Sequence, residues 1–334
     1  MKKHAIFLKL LSVTSIFILL LCGCNGKKIS YKPNVSGKAG EVVVAIDKSQ
    51  WESEVGSEIR SILAKDYPLL PQREPSFNLI NIRSNALNNL LKVHRNIMIV
   101  NIGDNYKEAN LSIQEDVWAI PQTVIILNAP DATSAVTLLK EKGNLVFSAI
   151  EQAERNRIIR NSKKFEEKSL REMVAAEFGG SPYFPRGYSL KKKTDNFMWI
   201  SYETTRTNQG VFIYKIPYRD TLSLSLNNLI EAKNEVLKLN VPAMLDDSYM
   251  TTSTAVDPEL KWVKYKGNSF AEVRGWWDAQ NDFMGGPFIM HAFYDPNGKD
   301  IIVLDGFVYA PSKDKRNLLR QVESFLYSFE WDEK

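Results

Sequence analysis

The stretch that decides the fold is FIMHAFYDPNGKDIIVLDGFVY, residues 288–309. Both of its ends are rich in β-branched and aromatic residues, which favour strands, and they flank the dipeptide Asn297-Gly298. Asn-Gly between two apolar runs is a strong hairpin signal, because a tight turn needs residues that tolerate a positive φ. The sequence therefore predicts an antiparallel hairpin at this place.

Further elements of the same kind surround the hairpin. Strands are predicted over residues 198–202, 211–216, 262–265 and 270–277, and a helix over residues 225–239. The last helix carries its apolar residues on one face, as a helix that covers a sheet does. These residues are Leu318, Leu319, Val322, Phe325, Leu326 and Phe329.

The first half of the chain repeats this style. Strands are predicted over residues 41–47, 77–82, 96–102 and 123–127, and a long proline-free helical region over residues 144–178. Gly and Pro are concentrated in FGGSPYFPRGY, residues 178–188, which indicates a boundary.

We therefore predict an α+β fold with two lobes, each a mostly antiparallel sheet with helices packed on one face. The predicted parts are a lipoprotein signal peptide over residues 1–23, a flexible tether over 24–40, a first lobe over 41–180 and a second lobe over 181–334. A body of this size buries enough apolar surface to be stable without cross-links.

The N-terminal segment has the form of an export signal. Three lysines precede an almost wholly apolar run over residues 10–21, which is too short to span a membrane stably. Small Gly23 stands before Cys24, and this order resembles the lipobox that the lipoprotein signal peptidase reads. The resemblance implies cleavage after Gly23 and lipidation of Cys24. Cys22 departs from the lipobox pattern, and the alternative is an uncleaved signal anchor.

The residues that follow Cys24 indicate where an anchored protein would face. Lys27 and Lys28 stand where surface-exported lipoproteins of the Bacteroidota carry acidic residues. The resemblance therefore implies a lipid-anchored outer-membrane protein that faces the periplasm. Each buried methylene of an acyl chain contributes about 0.8 kcal/mol to such anchoring.

Charge and cysteine content argue against several classes of function. The signal segment carries three lysines and no acidic residue, so its removal reduces the net charge from +4 to +1. A near-neutral body argues against nucleic-acid binding, which needs clustered excess Lys and Arg. Cys22 leaves with the signal and Cys24 is acylated, so the mature body has no free thiol for a disulfide, a nucleophile or a metal.

No motif for a catalytic centre or a cofactor is recognisable. After signal removal His94 and His291 remain, and neither has a partner at metal-ligand spacing. The sequence holds no nucleophile elbow, no phosphate-binding loop and no dinucleotide fingerprint. We therefore predict no cofactor, no metal site and no catalytic residue. A pair of carboxylates for glycosidase chemistry remains an open alternative, because sequence spacing does not fix spatial spacing.

The candidate for ligand binding is RGWWDAQNDFMGGPF, residues 274–288. Trp276 and Trp277 are adjacent, so in a strand they point to opposite faces, and one of them is free to face outward. Aromatic rings beside carboxylates and amides suit the recognition of sugars or peptides, whereas the alternative is that both tryptophans pack inside the fold. The candidate residues are Trp276, Trp277, Asp278, Asp282 and His291.

The long helical region carries charges of both signs. The usual interpretation is a solvated face with local ion pairs, and the alternative is a basic patch against anionic lipid headgroups. These charged residues include Arg155, Arg157, Arg160, Lys163, Glu166, Glu167, Lys168 and Arg171.

The whole pattern resembles a lipoprotein family of the Bacteroidota that carries the domain of unknown function 4837. The resemblance is carried by LLCGC at residues 20–24, GWWD at 275–278 and FLYSFEW at 325–331, and it implies a similarity over essentially the whole chain. It implies a lipid-anchored envelope protein and supplies no activity. The order of strands, hairpin and helix in the second half also resembles PsbP/Mog1-like α/β sandwiches.

The leading hypothesis is a non-enzymatic binding or scaffold protein of the periplasm, held on the membrane by an N-terminal lipid. Its partner would be an envelope protein or a glycan, and not a nucleic acid. The first alternative is a hydrolase of an envelope glycan or peptide that uses an acidic pair or His291. The second is a carbohydrate-binding module that uses one exposed tryptophan.

Overall fold

The computed structural model describes residues 31–332, so the predicted signal peptide and Cys24 lie outside the described residues. The strands are β1 Glu41–Ala45, β2 Asn78–Ile82, β3 Asn96–Ile102, β4 Asn110–Glu115, β5 Thr123–Ala129, β6 Gly180–Ser181, β7 Ser189–Thr194, β8 Phe197–Glu203, β9 Asn208–Pro217, β10 Met250–Thr252, β11 Glu259–Tyr265, β12 Asn268–Ala279, β13 Gly285–Tyr294, β14 Asp300–Tyr309 and β15 Glu330–Trp331. The helices are α1 Lys48–Trp51, α2 Glu54–Leu63, α3 Asn89–Lys92, α4 Ala132–Lys164, α5 Lys168–Phe178, α6 Leu226–Asn240 and α7 Arg316–Leu326, with 3₁₀ turns at Ser84–Ala86 and Thr221–Leu224. Within residues 31–332, no helix is long and apolar enough to cross a membrane.

The predicted α+β class in two regions is confirmed, but the first sheet differs from the prediction in strand direction. Its order is β2-β1-β3-β5-β4. The first four strands are parallel, and β4 alone is antiparallel to its neighbour. β1, β3 and β5 are near-continuous apolar runs with buried residues on both faces, which is typical of parallel strands. Helices α2 and α4 pack on one face of this sheet.

The second sheet is antiparallel, as predicted, and has the order β10-β12-β13-β14-β9-β8-β7 with β11 added on β12. The predicted hairpin is confirmed as β13 and β14, which pair from Phe288 opposite Phe307 to Tyr294 opposite Ile301. Gly298 lies in the turn of this hairpin and has a φ of 66°, a value that favours glycine.

The prediction that helices cover only one face of the second sheet is wrong. Along β14, Ile302 and Leu304 face one core together with α5 and α7, whereas Ile301 and Val303 face another together with α6. Because successive strand residues point to opposite faces, an apolar run this long needs cover on both sides. The second lobe therefore has three layers, a helix layer on each side of the sheet.

The helix Lys168–Phe178 lies within the predicted bounds of the first lobe, but it packs in the core of the second. Its buried residues Leu170, Val174 and Phe178 contact the same core as α7. It ends at Gly179, whose φ of 77° closes the helix in the left-handed conformation.

The predicted tether, residues 24–40, is docked on the first lobe over part of its length. Ile120 donates a backbone hydrogen bond to Pro33 at 2.9 Å, and Ser36 donates one to Val93 at 2.8 Å. Gly40 is buried. The segment 33–40 is therefore not a free tether, because its backbone groups find partners on the lobe surface.

Candidate functional site

The C-terminal helix α7 joins the two lobes. Its apolar face, with Leu319, Val322 and Phe325, packs on the second sheet. Its N-terminus is capped from the first lobe: the Glu74 carboxylate accepts hydrogen bonds from the backbone N–H groups of Lys315 at 2.6 Å and Arg316 at 3.0 Å. A carboxylate stabilises the positive end of the helix dipole and satisfies N–H groups that have no partner within the helix. Both lobes thus contribute contacts that stabilise this helix.

Glu323, on the polar face of α7, is the centre of a charged cluster between the lobes. One of its oxygens accepts a hydrogen bond from Arg155 on α4 at 3.0 Å and forms an ion pair with Arg274 on β12 at 2.9 Å. The other oxygen accepts a hydrogen bond from the Tyr67 hydroxyl at 2.8 Å. Burial alone would raise the pKa of Glu323, but the two guanidinium groups outweigh it and lower the pKa to about 2. An ionised carboxylate therefore connects the first lobe to the second sheet.

A second buried carboxylate, Glu272 on β12, extends this cluster. It accepts hydrogen bonds from Arg274 at 2.9 Å and the Tyr327 hydroxyl at 2.8 Å, and it pairs with Lys261 at 2.8 Å. His291 Nε2 lies 3.3 Å from it. Burial lowers the pKa of His291, so the neutral imidazole donates its Nε2–H to Glu272. His291 is thereby held as a hydrogen-bond donor inside the fold.

Arg320 completes the contact between the lobes one helical turn before Glu323. It is 1% exposed and forms a two-point ion pair with Glu151 on α4, at 2.9 and 3.2 Å. A further hydrogen bond runs to the carbonyl of Ser76 at 3.0 Å. A planar guanidinium held by two oxygens and a carbonyl fixes orientation as well as distance.

Beside this cluster the lobes enclose a cleft with a volume of about 570 Å³. Its walls come from the docked segment 33–40 and α4 of the first lobe, and from residues 185–188, β8, β9 and α7 of the second. Clefts of this size between lobes are common ligand sites. Because the charged cluster fixes the lobes, the cleft is preformed.

The lining of the cleft is strongly cationic. Among the described residues that line it, six ionisable side chains other than tyrosine are basic and one is acidic: Arg95, Arg157, Arg160, Lys164, Arg186, Arg320 and the carboxylate Glu154. Glu154 is 1% exposed and accepts hydrogen bonds from Arg95 at 3.0 Å, Arg157 at 2.8 Å and Asn96 at 2.8 Å. The carboxylate is thus fully engaged in structural contacts.

Two polar groups at the cleft have no partner among the described residues. One is the Nε of Arg95 and the other is the hydroxyl of Tyr188. Burial raises the pKa of Tyr188, so this hydroxyl keeps its proton. Unsatisfied buried groups are rare in folded proteins and mark places where a partner or a rearrangement completes the structure.

A smaller cavity of about 140 Å³ lies at the C-terminal end of α7, where Leu326 and Tyr327 line it. Aromatic rings dominate its wall, including Phe270, Phe293, Phe329 and Trp331, and His291 lies at its floor. The rings pack against one another, with centroids 4.9 Å apart for Phe329 and Trp331. The cavity is smaller than ligand pockets usually are.

The two tryptophans point to opposite faces, as predicted from their spacing, but neither is an open platform. Trp277 is 4% exposed, donates its indole N–H to the carbonyl of Val308 at 3.2 Å and packs on Phe307. Trp276 is half-buried and donates its indole N–H to the carbonyl of Leu69 in the first lobe at 2.9 Å. One tryptophan serves the core and the other the contact between the lobes.

The remaining candidates do not gather around the tryptophans. Asp278 is half-buried on β12, and Asp282 accepts a hydrogen bond from the backbone of Phe283 at 2.6 Å in the β12–β13 turn. His291 pairs across the sheet with Glu272, five residues from Trp277, which is about 17 Å along a strand. These residues therefore stay a prediction for ligand binding, without a common cavity.

The residues that build the cleft were missed because they are far apart in sequence. Arg155 and Arg157 fit the expected solvated helix face, yet their side chains are only 13% and 8% exposed. The sequence did hold one signal that α4 is not a surface helix. Its basic and apolar residues are mixed on every side, whereas a surface helix has one apolar face and one polar face. Within residues 31–332, no group of three His, Cys, Asp or Glu side chains is arranged to hold a metal ion.

Comparison with known proteins divides the chain at the same place as the packing. Residues 167–328 match the family model described as Domain of unknown function (DUF4837), and residues 35–163 match the one described as Domain of unknown function (DUF8532). The predicted resemblance to domain of unknown function 4837 is therefore confirmed, for the second half and not for the whole chain. No curated protein matches the chain.

The solved structures with distant similarity to this chain include the following two. A point mutant of the protein Mog1 is 8% identical to this chain. The match covers 46% of this chain and 90% of the Mog1 chain, with a TM-score of 0.29. The lipid transfer and protein localization domain of human StarD13 (DLC2) is 11% identical to this chain. The match covers 47% of this chain and 95% of the StarD13 domain, with a TM-score of 0.22. At these scores neither similarity supports a statement about function.

Proposed function

We propose that this chain, whose second half matches the DUF4837 family model, is a lipid-anchored envelope protein that binds a ligand in the interlobe cleft without transforming it. The observation that carries the proposal is the cleft itself, a preformed space of about 570 Å³ between two lobes fixed by buried ion pairs. A preformed site binds more tightly than one that must be ordered first, because its conformational entropy is already lost.

The composition of the cleft favours binding over catalysis. Hydrolysis of a glycan would use two carboxylates on opposite sides of the scissile bond. Among the described residues the cleft lining offers one, Glu154, and its oxygens are occupied by arginine and asparagine donors. The hydrolase alternative therefore lacks its acid and base at this place.

The proposed location is the periplasmic face of the outer membrane, with the anchor on Cys24. We expect Cys24→Ala to abolish metabolic labelling with an acyl analogue, because alanine has no thiol to acylate, and to leave the chain at its precursor mass of 38.1 kDa. Cys22→Ala is the matched control and keeps the label. A label that persists on Cys24→Ala would show that the anchor lies elsewhere.

The binding function is tested by filling the cleft. Asn161 is exposed on α4 and lines the cleft, whereas Asn144 is exposed on the same helix and lies outside it. Full-length protein is purified from cells, and the small molecules released on denaturation are identified by mass spectrometry. We expect a species that is retained by the parent and by Asn144→Trp, and depleted roughly tenfold or more by Asn161→Trp, a loss of about 1.4 kcal/mol in binding. Equal retention by all three proteins, or retention of nothing by the parent, would refute the proposal.

A further inference from the structure

The geometry points to a ligand with oxyanion groups, such as phosphates, as the occupant of the interlobe cleft. This inference rests on the proposed function, because it names the ligand class for the same cleft. Guanidinium groups match the planar fork of a phosphate or carboxylate and bind it through paired hydrogen bonds.

The rim carries three cations that no carboxylate of the described residues neutralises. Arg160, Lys164 and Arg186 are all exposed and line the cleft. Over residues 31–332, none of these three side chains forms an ion pair, although the same stretch of chain pairs Lys163 with Glu330 at 2.5 Å. Three unpaired charges that converge on one concave space are a site for an anion, because a cleft with low-dielectric walls focuses their field.

The floor adds a further surplus of positive charge. Arg95 and Arg157 share one carboxylate, Glu154, and the Nε of Arg95 has no partner in the part of the chain that the structure describes. Burial, together with the repulsion of the nearby Arg95, lowers the pKa of Arg157 to about 10. An anion in the cleft would raise this pKa again. Arg320 adds no surplus, because Glu151 neutralises it.

The surplus of positive charge is confined to the cleft, since basic and acidic residues nearly balance over the whole chain. The sequence has a net charge of +4, of which three lysines lie in the predicted signal segment. The rim cations and the floor trio together leave four positive charges in excess at one cleft. Such a concentration of positive charge attracts anions from outside the protein.

The cleft lies within reach of the membrane if Cys24 carries the anchor. Val35 and Ala39 of the docked segment line the cleft, and Val35 is eleven residues after Cys24. Eleven residues span at most about 40 Å. The oxyanion can therefore come from two sources, a phospholipid headgroup or a soluble phosphorylated molecule.

The inference is tested with full-length protein in a neutral detergent and inorganic pyrophosphate as the probe, by titration calorimetry. We expect binding that weakens as salt concentration rises. The triple variant Arg160→Ala, Lys164→Ala, Arg186→Ala should bind roughly tenfold or more weakly. The matched control Arg83→Ala, Lys264→Ala, Lys299→Ala removes the same number of exposed cations outside the cleft and should bind like the parent.

A second arm separates the two sources of oxyanion. Short-chain phosphatidic acid and short-chain phosphatidylcholine replace pyrophosphate in the same titration. Tighter binding of phosphatidic acid than of pyrophosphate assigns the site to a headgroup, and the reverse order assigns it to a soluble anion; both support the inference.

Other outcomes overturn it. Unchanged affinity of the cleft triple variant would place the anion elsewhere, and the absence of binding to every anionic probe would refute the ligand class. If the Asn161→Trp experiment then still reveals a retained molecule without oxyanion groups, the ligand class is wrong and the binding function stands. If it reveals none, both are wrong.

Discussion

Replacement of Glu323 by glutamine is expected to lower the free energy of unfolding by about 3–5 kcal/mol, the range for removing one partner of a buried ion pair. The variant leaves Arg274 and Arg155 beside a neutral amide, and Arg274 is only 9% exposed. Urea denaturation of parent and variant measures the difference. Glu52→Gln is the control, because Glu52 is exposed and pairs with Lys48 on the surface; it should change the free energy by less than about 0.5 kcal/mol.

The difference in unfolding free energy between the parent and Glu323→Gln should depend on pH, and the pKa of Glu323 fixes the direction of the change. The pKa of Glu323 is about 2 in the folded protein, below its ordinary value of 4.5. The carboxylate therefore contributes stability that is fully present above about pH 4.5 and is lost as the pH falls toward 2. The shift corresponds to about 3 kcal/mol. The stability gap between parent and Glu323→Gln should be constant near neutrality and shrink over this acid range; a gap that is small near neutral pH would show that the cluster does not hold the lobes.

The second large effect concerns the ion pair inside the second lobe. Lys233 on α6 and Asp305 on β14 are both 0% exposed, with 2.9 Å between Nζ and Oδ2. Their surroundings are apolar, and the ring of Phe288 lies 4.5 Å from the lysine nitrogen. Burial outweighs the attraction of Lys233 and raises the pKa of Asp305. We expect Lys233→Met alone, or Asp305→Leu alone, to cost about 3–5 kcal/mol of unfolding free energy.

The double variant Lys233→Met, Asp305→Leu separates two free energies: the cost of leaving one buried charge unpaired, and the net contribution of the ion pair to stability. Replacing both partners by apolar residues of similar volume is expected to restore the parent stability or exceed it, since such replacements are often neutral or stabilising by about 1–4 kcal/mol. Thermal and urea unfolding of the two single variants and the double variant complete the cycle. Additive losses in the double variant would contradict this account, because they would mean that each side chain makes its own favourable contacts.

The elements with local signals were predictable from the sequence, and strand direction was not. The Asn297-Gly298 turn lies between its two strands in sequence, so the signal and the structure that it specifies are adjacent. The direction of β1, β3 and β5 depends on connections of many residues, and their apolar runs fit both parallel strands and buried antiparallel ones. Burial of both faces does not separate these arrangements either, because the antiparallel second sheet is covered on both sides as well.

The cleft could not be predicted from sequence for a related reason. Glu323 and Arg155 are 168 residues apart, and no local pattern couples them. On α7, Arg316, Arg320 and Glu323 recur at helical spacing opposite the apolar stripe, which is also the pattern of a solvated face. Here the first lobe packs on the charged face of α7, so this face is an interface between the lobes and not a solvated surface. The candidate tryptophans show the reverse: their opposite orientations followed from strand alternation, but their partners Leu69 and Val308 lie on other elements.

Amide hydrogen exchange of the full-length protein with and without inorganic pyrophosphate tests the central claim most directly, because it locates the ligand in solution. If the interlobe cleft binds the oxyanion, exchange should slow in residues 157–165 at the C-terminal end of α4 and in residues 185–188, where the rim cations lie. Exchange in the β12–β13 turn around Phe283 should stay unchanged. Protection confined to that turn or to the aromatic cavity, with none at the cleft, would contradict the account.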